Sequence, residues 1–374
     1  MIFIYLFVLL LVVLRLGLRK DHFYLLVGSV LLTFILAEGL SRLMGVGIPR
    51  EVIWNEARIP GKGATPLYEP YGKLVYRYPD NPRGYFNPMN EVVGTINSLG
   101  FRGRESHQKK RTGGLRLAFL GDSFTLGVGV RDEDTFPAQV ESQFGRQFES
   151  CEALNFGGSG FDTVDEIALL ENFVFKFSPD IVVVVFFLND TGRLGTVDFF
   201  SKPQFFLNAR KYSHFLNGII SLLERRIQTA RMIRHYHEGF DPGYPGYWRV
   251  QAALRRGKQL SEVCGFKLVV ALYPVLYGFP NDYPFREIHK VLAAFCKGES
   301  IPFVDLSPAF EHHRASELWV HPLDQHPNEA AHRLAAARFV AYLKEIGYPN
   351  QELNTNGEPN KRENRGVKFK LGEG

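Results

Sequence analysis

Four separated places in this sequence hold side chains that together can carry out acyl transfer. Ser123 stands in Gly121-Asp122-Ser123 with Gly127 four positions on. Gly157, Gly158 and Gly160 follow a second apolar run, and Asn189 and Asp190 close a third. Far downstream, Asp324 and His326 stand just ahead of Pro327 and Asn328. A serine hydroxyl is a weak nucleophile unless a base takes its proton during attack. A histidine does this near neutral pH when a carboxylate fixes its tautomer and steadies the imidazolium. The reading is therefore Ser123 as nucleophile, His326 as base and Asp324 as the carboxylate behind it. The oxyanion formed on attack needs preorganised donors, each worth about 3–4 kcal/mol. Ser123 at a strand-to-helix turn offers its own N–H. Gly160 permits close backbone approach for want of a side chain, and Asn189 adds its NH2.

Each residue also has a plainer role open to it. Ser123 could cap a helix, the glycines could be turn formers, and Asn189 could close an Asx-turn. His326 could be a surface residue at a helix start. His321 is a rival base, with His312 and His313 behind it. Ser159 is a rival nucleophile, but Phe161 breaks the GxSxG elbow that would present it. Asp122 and Asp190 read as structural carboxylates around the nucleophile turn.

The elements that must position these groups follow a regular alternation. Leu115 to Leu120 reads as a strand running into Gly121, and Thr135 to Phe144 as a helix. Glu152 to Phe156 is a second strand. Thr163 to Phe177 reads as a helix, with Ile167, Leu170, Phe173 and Val174 on one face. Asp180 to Leu188 carries no charge after its first residue, as expected for a central parallel strand covered on both faces. Strands at Lys267 to Tyr273 and Pro302 to Leu306 and a helix from Asn328 to Ile346 complete the series. Such alternation predicts an α/β fold with a mostly parallel sheet. Its candidate residues stand where open sheets of this kind place their ligands, at the C-terminal ends of the strands.

With these residues in place, the chain resembles the SGNH/GDSL hydrolases. Gly121-Asp122-Ser123 with Gly127 looks like that family's first block. Gly160, Asn189 and His326 match its oxyanion glycine, oxyanion asparagine and catalytic histidine in order. The resemblance spans about residues 115 to 346. It implies a flavodoxin-like three-layer α/β/α sandwich and esterase, lipase, carbohydrate deacetylase or acyl-transfer activity. Two departures stand out. The third block reads Phe187-Leu188-Asn189-Asp190 where the family usually has Gly-x-Asn-Asp, which narrows the floor of the site. The carboxylate is two residues before the histidine instead of three, where Leu323 stands, so a turn must present Asp324 to the imidazole.

The N-terminus points to a membrane. Residues 2 to 14 are all apolar, and a second apolar run extends from Phe23 to Leu40 with Glu38 near its end. Each approaches the roughly 20 residues needed to cross hydrocarbon. Positive charges follow the first run instead of preceding it, and no small-x-small site comes after, which argues against a cleaved signal peptide. Two transmembrane helices forming a hairpin within 1–45 are expected. Arg15, Arg19 and Lys20 at the link place it in the cytoplasm and the remainder on the extracytoplasmic side. Residues 46–114, rich in Pro, Gly, Tyr and Asn, read as an extended lead-in packed on the main domain, with Lys73 to Tyr78 and Glu91 to Ile96 pairing as small strands. The hydrolase domain is expected at 115–348, with an insertion at about 191–247 whose middle, Lys211 to His237, is helical. Residues 349–374 read as a disordered tail.

Composition excludes more than it assigns. The 374 residues are 45% hydrophobic, ample for one catalytic core. Forty-four basic against 39 acidic residues give a net charge of +5 with no long basic stripe, so nucleic acid is not an expected partner. Cys151, Cys264 and Cys296 form no CxxC pair and read as core or near-core residues. No metal or cofactor fingerprint is present. The expected function is removal or transfer of an O-acyl group, acetyl by preference, on an envelope carbohydrate or glycolipid through a Ser123 acyl-enzyme. Alternatives are a lipid esterase, a non-catalytic glycan-binding scaffold, and an acyltransferase served by a separate membrane partner.

Overall fold

In the computed structural model, which describes residues 19–48, 51–59, 67–110, 114–145, 151–192 and 211–348, the second apolar run is one helix, α1 (Lys20–Leu43). At about 1.5 Å per residue it is long and apolar enough to cross a bilayer, and its large side chains, Leu25, Leu31, Ile35 and Leu36 among them, are exposed. Residues 2–18, and with them the expected hairpin, lie outside the described residues, as does the tail from 349.

Three short strands follow: β1 (Ile53–Glu56), β2 (Lys73–Arg77) and β3 (Glu91–Thr95), antiparallel in that order. In β2 the period-two pattern is plain, since Leu74 and Tyr76 are buried while Lys73 and Arg77 are not. The pairing of β2 with β3 agrees with the sequence reading. Strand β1 went unread because its Ile53 and Trp54 both stay exposed and leave no alternation.

The main sheet then builds in turn from β4 (Leu115–Gly121), α2 (Ser123–Leu126), α3 (Phe136–Gly145), β5 (Cys151–Gly157), α4 (Thr163–Asn172) and β6 (Ile181–Phe186). It continues through α5 (His214–Gly239), α6 (Pro245–Cys264), β7 (Lys267–Leu272), α7 (Arg286–Gly298) and β8 (Phe303–Asp305). All neighbours are parallel and the order is β5-β4-β6-β7-β8. Counted along this sheet that is 2-1-3-4-5, and the winding reverses between β4 and β6. Every residue of β6 is buried. Its aliphatic side chains, worth about 1.5–3 kcal/mol each on full burial, explain why this charge-free run sits inside the sheet.

Helices cover both faces. Phe119 of β4 meets Phe136 of α3 and Phe339 of the last helix at 5.4 and 5.7 Å between ring centroids. Leu268 of β7 is in register, through Val182, with Ala118 and so points the other way. There α6 packs on α4, and a Cβ on Gly257 would meet Ile167 at 2.8 Å and Leu268 at 3.4 Å. The sequence reading of one helix from Thr163 to Phe177 is shortened, since α4 stops at Asn172 and a 3-10 turn, Val174–Phe177, follows. Cys296 is buried and Cys151 half-buried, but Cys264 is exposed, contrary to expectation. It ends α6, where the last turn leaves the packed layer and Val263 is exposed beside it.

A separate two-stranded ribbon, β9 (Trp319–His321) and β10 (Asp324–Pro327), leads into α8 (Glu329–Glu345). Asn328 caps α8 through Ala331 N–H at 2.9 Å and donates to the carbonyls of Glu317 and Trp319, which fastens the helix to the ribbon. Glu38 of α1 caps α5. Its carboxylate accepts from Ser213 Oγ at 2.7 Å and Phe215 N–H at 3.0 Å, while Arg42 donates both to Glu38 and to the carbonyl of Tyr212.

Candidate active site

Strand β4 ends at Gly121 and the chain turns at once into α2. Asp122 caps this four-residue helix, its Oδ1 accepting from Phe124 N–H at 2.8 Å. The capping duty thus falls to Asp122, and the hydroxyl of Ser123 is left for another partner. That partner is His326, whose Nε2 lies 2.9 Å from Ser123 Oγ.

His326 and Asp324 sit two residues apart on β10, and a register shift in its pairing with β9 between Asp324 and Pro327 accompanies the close approach of their side chains. This answers the spacing that sequence reading assigned to a turn. His326 Nδ1 lies 2.5 Å from Asp324 Oδ1, and His326 N–H donates to the same oxygen at 3.1 Å. A carboxylate only accepts, so Nδ1 carries the proton and Nε2 is free to receive one from Ser123. Tyr78 Oη donates to the other oxygen, Asp324 Oδ2, at 2.9 Å.

The electrostatics agree with that arrangement. Burial works to lower the His326 pKa, but the Asp324 charge and hydrogen bond, with Asp122 and Glu56 behind them, outweigh it and hold the imidazole above its ordinary range. Burial works to raise Asp324, and the His326 charge and hydrogen bonds from His326 and Tyr78 outweigh it, keeping the carboxyl below its ordinary range. Asp122 is buried and raised by that burial.

The other two places border the nucleophile turn. Gly157 ends β5 so close to α2 that a Cβ there would fall 2.2 Å from Leu126 N. Asn155 stitches the same contact, donating to Thr125 O at 2.9 Å and accepting from Gly157 N–H at 2.9 Å. Gly160 has φ +72°, a left-handed conformation that disfavours side chains. From the end of β6, Asn189 donates to Asp122 Oδ2 at 3.4 Å, a long and weak bond from which the NH2 can be redirected. Asp190 accepts from Thr163 Oγ1 at 2.6 Å, so it serves the start of α4 and not the nucleophile turn. Beside it Glu166 is fully buried, with no hydrogen-bond partner for either oxygen.

The rivals are occupied elsewhere. His321 is buried in β9, its Nδ1 accepting from Leu323 N–H at 3.1 Å and its Nε2–H donating to Asp80 at 2.6 Å. Ser159 Oγ donates to Glu56 Oε1 at 2.7 Å, a carboxylate in place of an imidazole. Among the described residues no cluster of three His, Cys, Asp or Glu side chains is arranged to hold a metal ion. Sequence reading missed Tyr78, Trp54, Glu56, Arg102 and Asn155. Trp54 lies edge-on to His326, 5.2 Å between ring centroids, and is 47% exposed. None carries a spacing signal, and only Asn155 adjoins a motif.

A profile of the GDSL-like lipase/acylhydrolase family matches residues 119–334, more than half of the chain, and the chain belongs to that family. No curated protein matches it. Among solved structures it is similar to a two-domain esterase active on acetylated mannans, at 16% identity and a TM-score of 0.38, covering 66% of this chain and 52% of that one. The chain thus spans about half the length of that protein. It is also similar to Axe2, an acetylxylan esterase from Geobacillus stearothermophilus, at 20% identity and a TM-score of 0.40, covering 64% and 97%. TesA is a third, at 15% identity and 0.41, covering 62% and 99%.

Proposed function

We propose that the chain removes or transfers a short O-acyl group, acetyl by preference, through an acyl-enzyme on Ser123. The observation that carries this is the unbroken line from Ser123 Oγ to His326 Nε2 and from His326 Nδ1 to Asp324. As Ser123 attacks the ester carbonyl, its proton passes to His326 Nε2, and Asp324 steadies the imidazolium. The N–H groups of Ser123 and Gly160 and the NH2 of Asn189 take the oxyanion. His326 then protonates the departing alcohol. A water, or the hydroxyl of an acceptor sugar, gives its proton to the same nitrogen and releases the acyl group.

Two features support the substrate class. Phe187 occupies the family's glycine position and packs on Phe124, ring centroids 4.3 Å apart with planes tilted by 40° and both buried, which leaves little room beside Ser123 for more than a short acyl chain. The half-exposed indole of Trp54 next to His326 offers a flat apolar wall suited to the face of a sugar ring. Helix α1 supports attachment to a membrane, and the cationic Arg15, Arg19 and Lys20 support an extracytoplasmic catalytic part, hence an envelope carbohydrate or glycolipid.

The test is turnover of activated acetyl and long-chain esters by the full chain beside Ser123→Ala and His326→Ala. Acetyl turnover reduced at least ~1000-fold in both variants supports the proposal. A preference for the long chain would make the protein a lipid esterase. Silence on both esters, with no labelling of Ser123 by a fluorophosphonate, would end the esterase reading.

A further inference from the structure

We propose that the three-stranded sheet and its loops, which lie wholly outside the family-matched residues 119–334, are a working part of the active site, with Tyr78 as the positioning residue for Asp324. The inference rests on the Ser123 esterase reading.

Described residues between Trp54 and Arg102 reach the nucleophile turn, the loop before Gly160 and the ribbon of Asp324 and His326. Arg102 is buried and braces the nucleophile turn from behind, donating to the carbonyls of Leu126 at 2.9 Å, Gly127 and Val130 and pairing with Asp132. Glu56 accepts from Ser159 Oγ, Arg58 donates to Ser159 O at 3.0 Å, and Tyr68 Oη accepts from Ser159 N–H at 3.2 Å. Those three hold the loop whose next residue is Gly160. Trp54 packs on the base itself. Arg83 grips the ribbon that carries the base, donating to Val320 O at 3.2 Å and to Glu329 at 2.6 Å.

The contact at Asp324 matters most for the chemistry. Its ribbon pairs with neither sheet, and both donors from His326 reach Oδ1. The terminal torsion of an aspartate is broad, so a carboxylate held at one oxygen can turn away from the imidazole. Tyr78 holds the second oxygen. Tyr78 is itself fixed, buried and stacked on Phe86 at 4.5 Å with planes 10° apart. Burial and the neighbouring Asp324 push its hydroxyl far above the ordinary tyrosine range, so it stays a donor at any working pH.

Glu56 provides an independent check. Ser159 and Tyr76 both donate to the same atom, Oε1, so one carbonyl oxygen is enough for both. A glutamine can keep them and an alanine cannot.

The experiment measures kcat, KM and melting temperature of the full chain on an activated acetyl ester across pH, for wild type, Ser123→Ala, Tyr78→Phe, Glu56→Ala and Glu56→Gln. Tyr78→Phe is expected to lower kcat roughly tenfold to a hundredfold with little change in KM, as small misplacements of reacting groups do. It also moves the acid limb of the profile to lower pH, because an unanchored Asp324 supports the imidazolium less. Glu56→Ala slows turnover and Glu56→Gln restores it on the pH plateau above the acid limb, where the lost Glu56 charge beside His326 does not count. An unmoved or raised acid limb with unchanged kcat, or Glu56→Gln as slow as Glu56→Ala, would overturn the proposal. Should Tyr78→Phe fail to fold, the half-buried Glu56 pair decides. An inactive wild type, or turnover surviving in Ser123→Ala, would sink the esterase reading and this proposal with it. An active, Ser123-dependent wild type beside unaffected variants would sink this proposal alone.

Discussion

Replacing Asp324 by asparagine removes one charge while leaving the shape of the ribbon in place. The Asp324 carboxylate is buried, with two donors from His326 on Oδ1 and one from Tyr78 on Oδ2. An amide keeps one acceptor and gains a donor. With its oxygen toward the two His326 donors, its NH2 faces Tyr78, whose oxygen can accept, so the imidazole tautomer survives. What is lost is the attraction between carboxylate and imidazolium in the transition state. With charge centres about 4 Å apart and an effective dielectric constant near 20, that is on the order of 4 kcal/mol, or roughly a thousandfold in rate. The acid limb of kcat/KM, which reports the free base, is expected above the ordinary histidine range in wild type, because Asp324 holds His326 above that range. It falls below the wild-type midpoint in the variant. The assay is hydrolysis of an activated acetyl ester across pH. A loss smaller than about tenfold, or a limb that stays put, would refute the electrostatic account of this pair.

Phe187→Gly is expected to open the floor beside Ser123 and shift the ratio of kcat/KM toward longer acyl chains, and an unchanged ratio in an ester series would remove Phe187 from the specificity argument. Glu166 is raised well above its ordinary range by burial and by the charges of Asp190 and Asp122. Its contribution to stability is therefore complete below about pH 4.3 and is lost as pH rises through the folded-state value. Glu166→Gln cannot ionise, so its melting temperature should fall less than wild type between about pH 5 and pH 8; parallel curves would show that folded Glu166 is already ionised at pH 5. Arg102→Met leaves three buried carbonyls without their donor and Asp132 with Thr95 alone and should cost about 3–5 kcal/mol in urea unfolding. A change below about 1 kcal/mol would mean that water replaces the guanidinium.

The parts of the fold that could be read in advance are those written in local pattern. The charge-free run of β6 announces a covered strand, and the chain turns that follow β4, β5 and β6 hold the serine, glycine and asparagine. In a parallel sheet these turns must gather at one end, so the order of short motifs already implies their meeting. The buttresses were hidden for the opposite reason. Tyr78 and Asp324 are 246 positions apart, and Glu56 and Ser159 are 103 apart. Their meeting depends on how three short strands dock, and the first of them, β1, leaves no period to detect because its Ile53 and Trp54 both stay exposed. Strand β10 was likewise obscured, because four residues that include a proline read as loop until β9 is seen to pair with them. Glu38 looked like a lone charge at the end of an apolar run, since its partners at Ser213 and Phe215 lie far along the chain.

Because Glu38 and Arg42 grip the start of α5 directly, α1 is joined to the remainder by a bracket and not by a swivel. Gly47 presses on the backbone of His214, and Trp54, beside the base, comes only seven positions later. At no more than 3.6 Å per residue that is roughly 25 Å of reach. An α1 seated in a lipid layer would carry Ser123 and His326 at a fixed height above it, on an arm too short to sweep a wide circle.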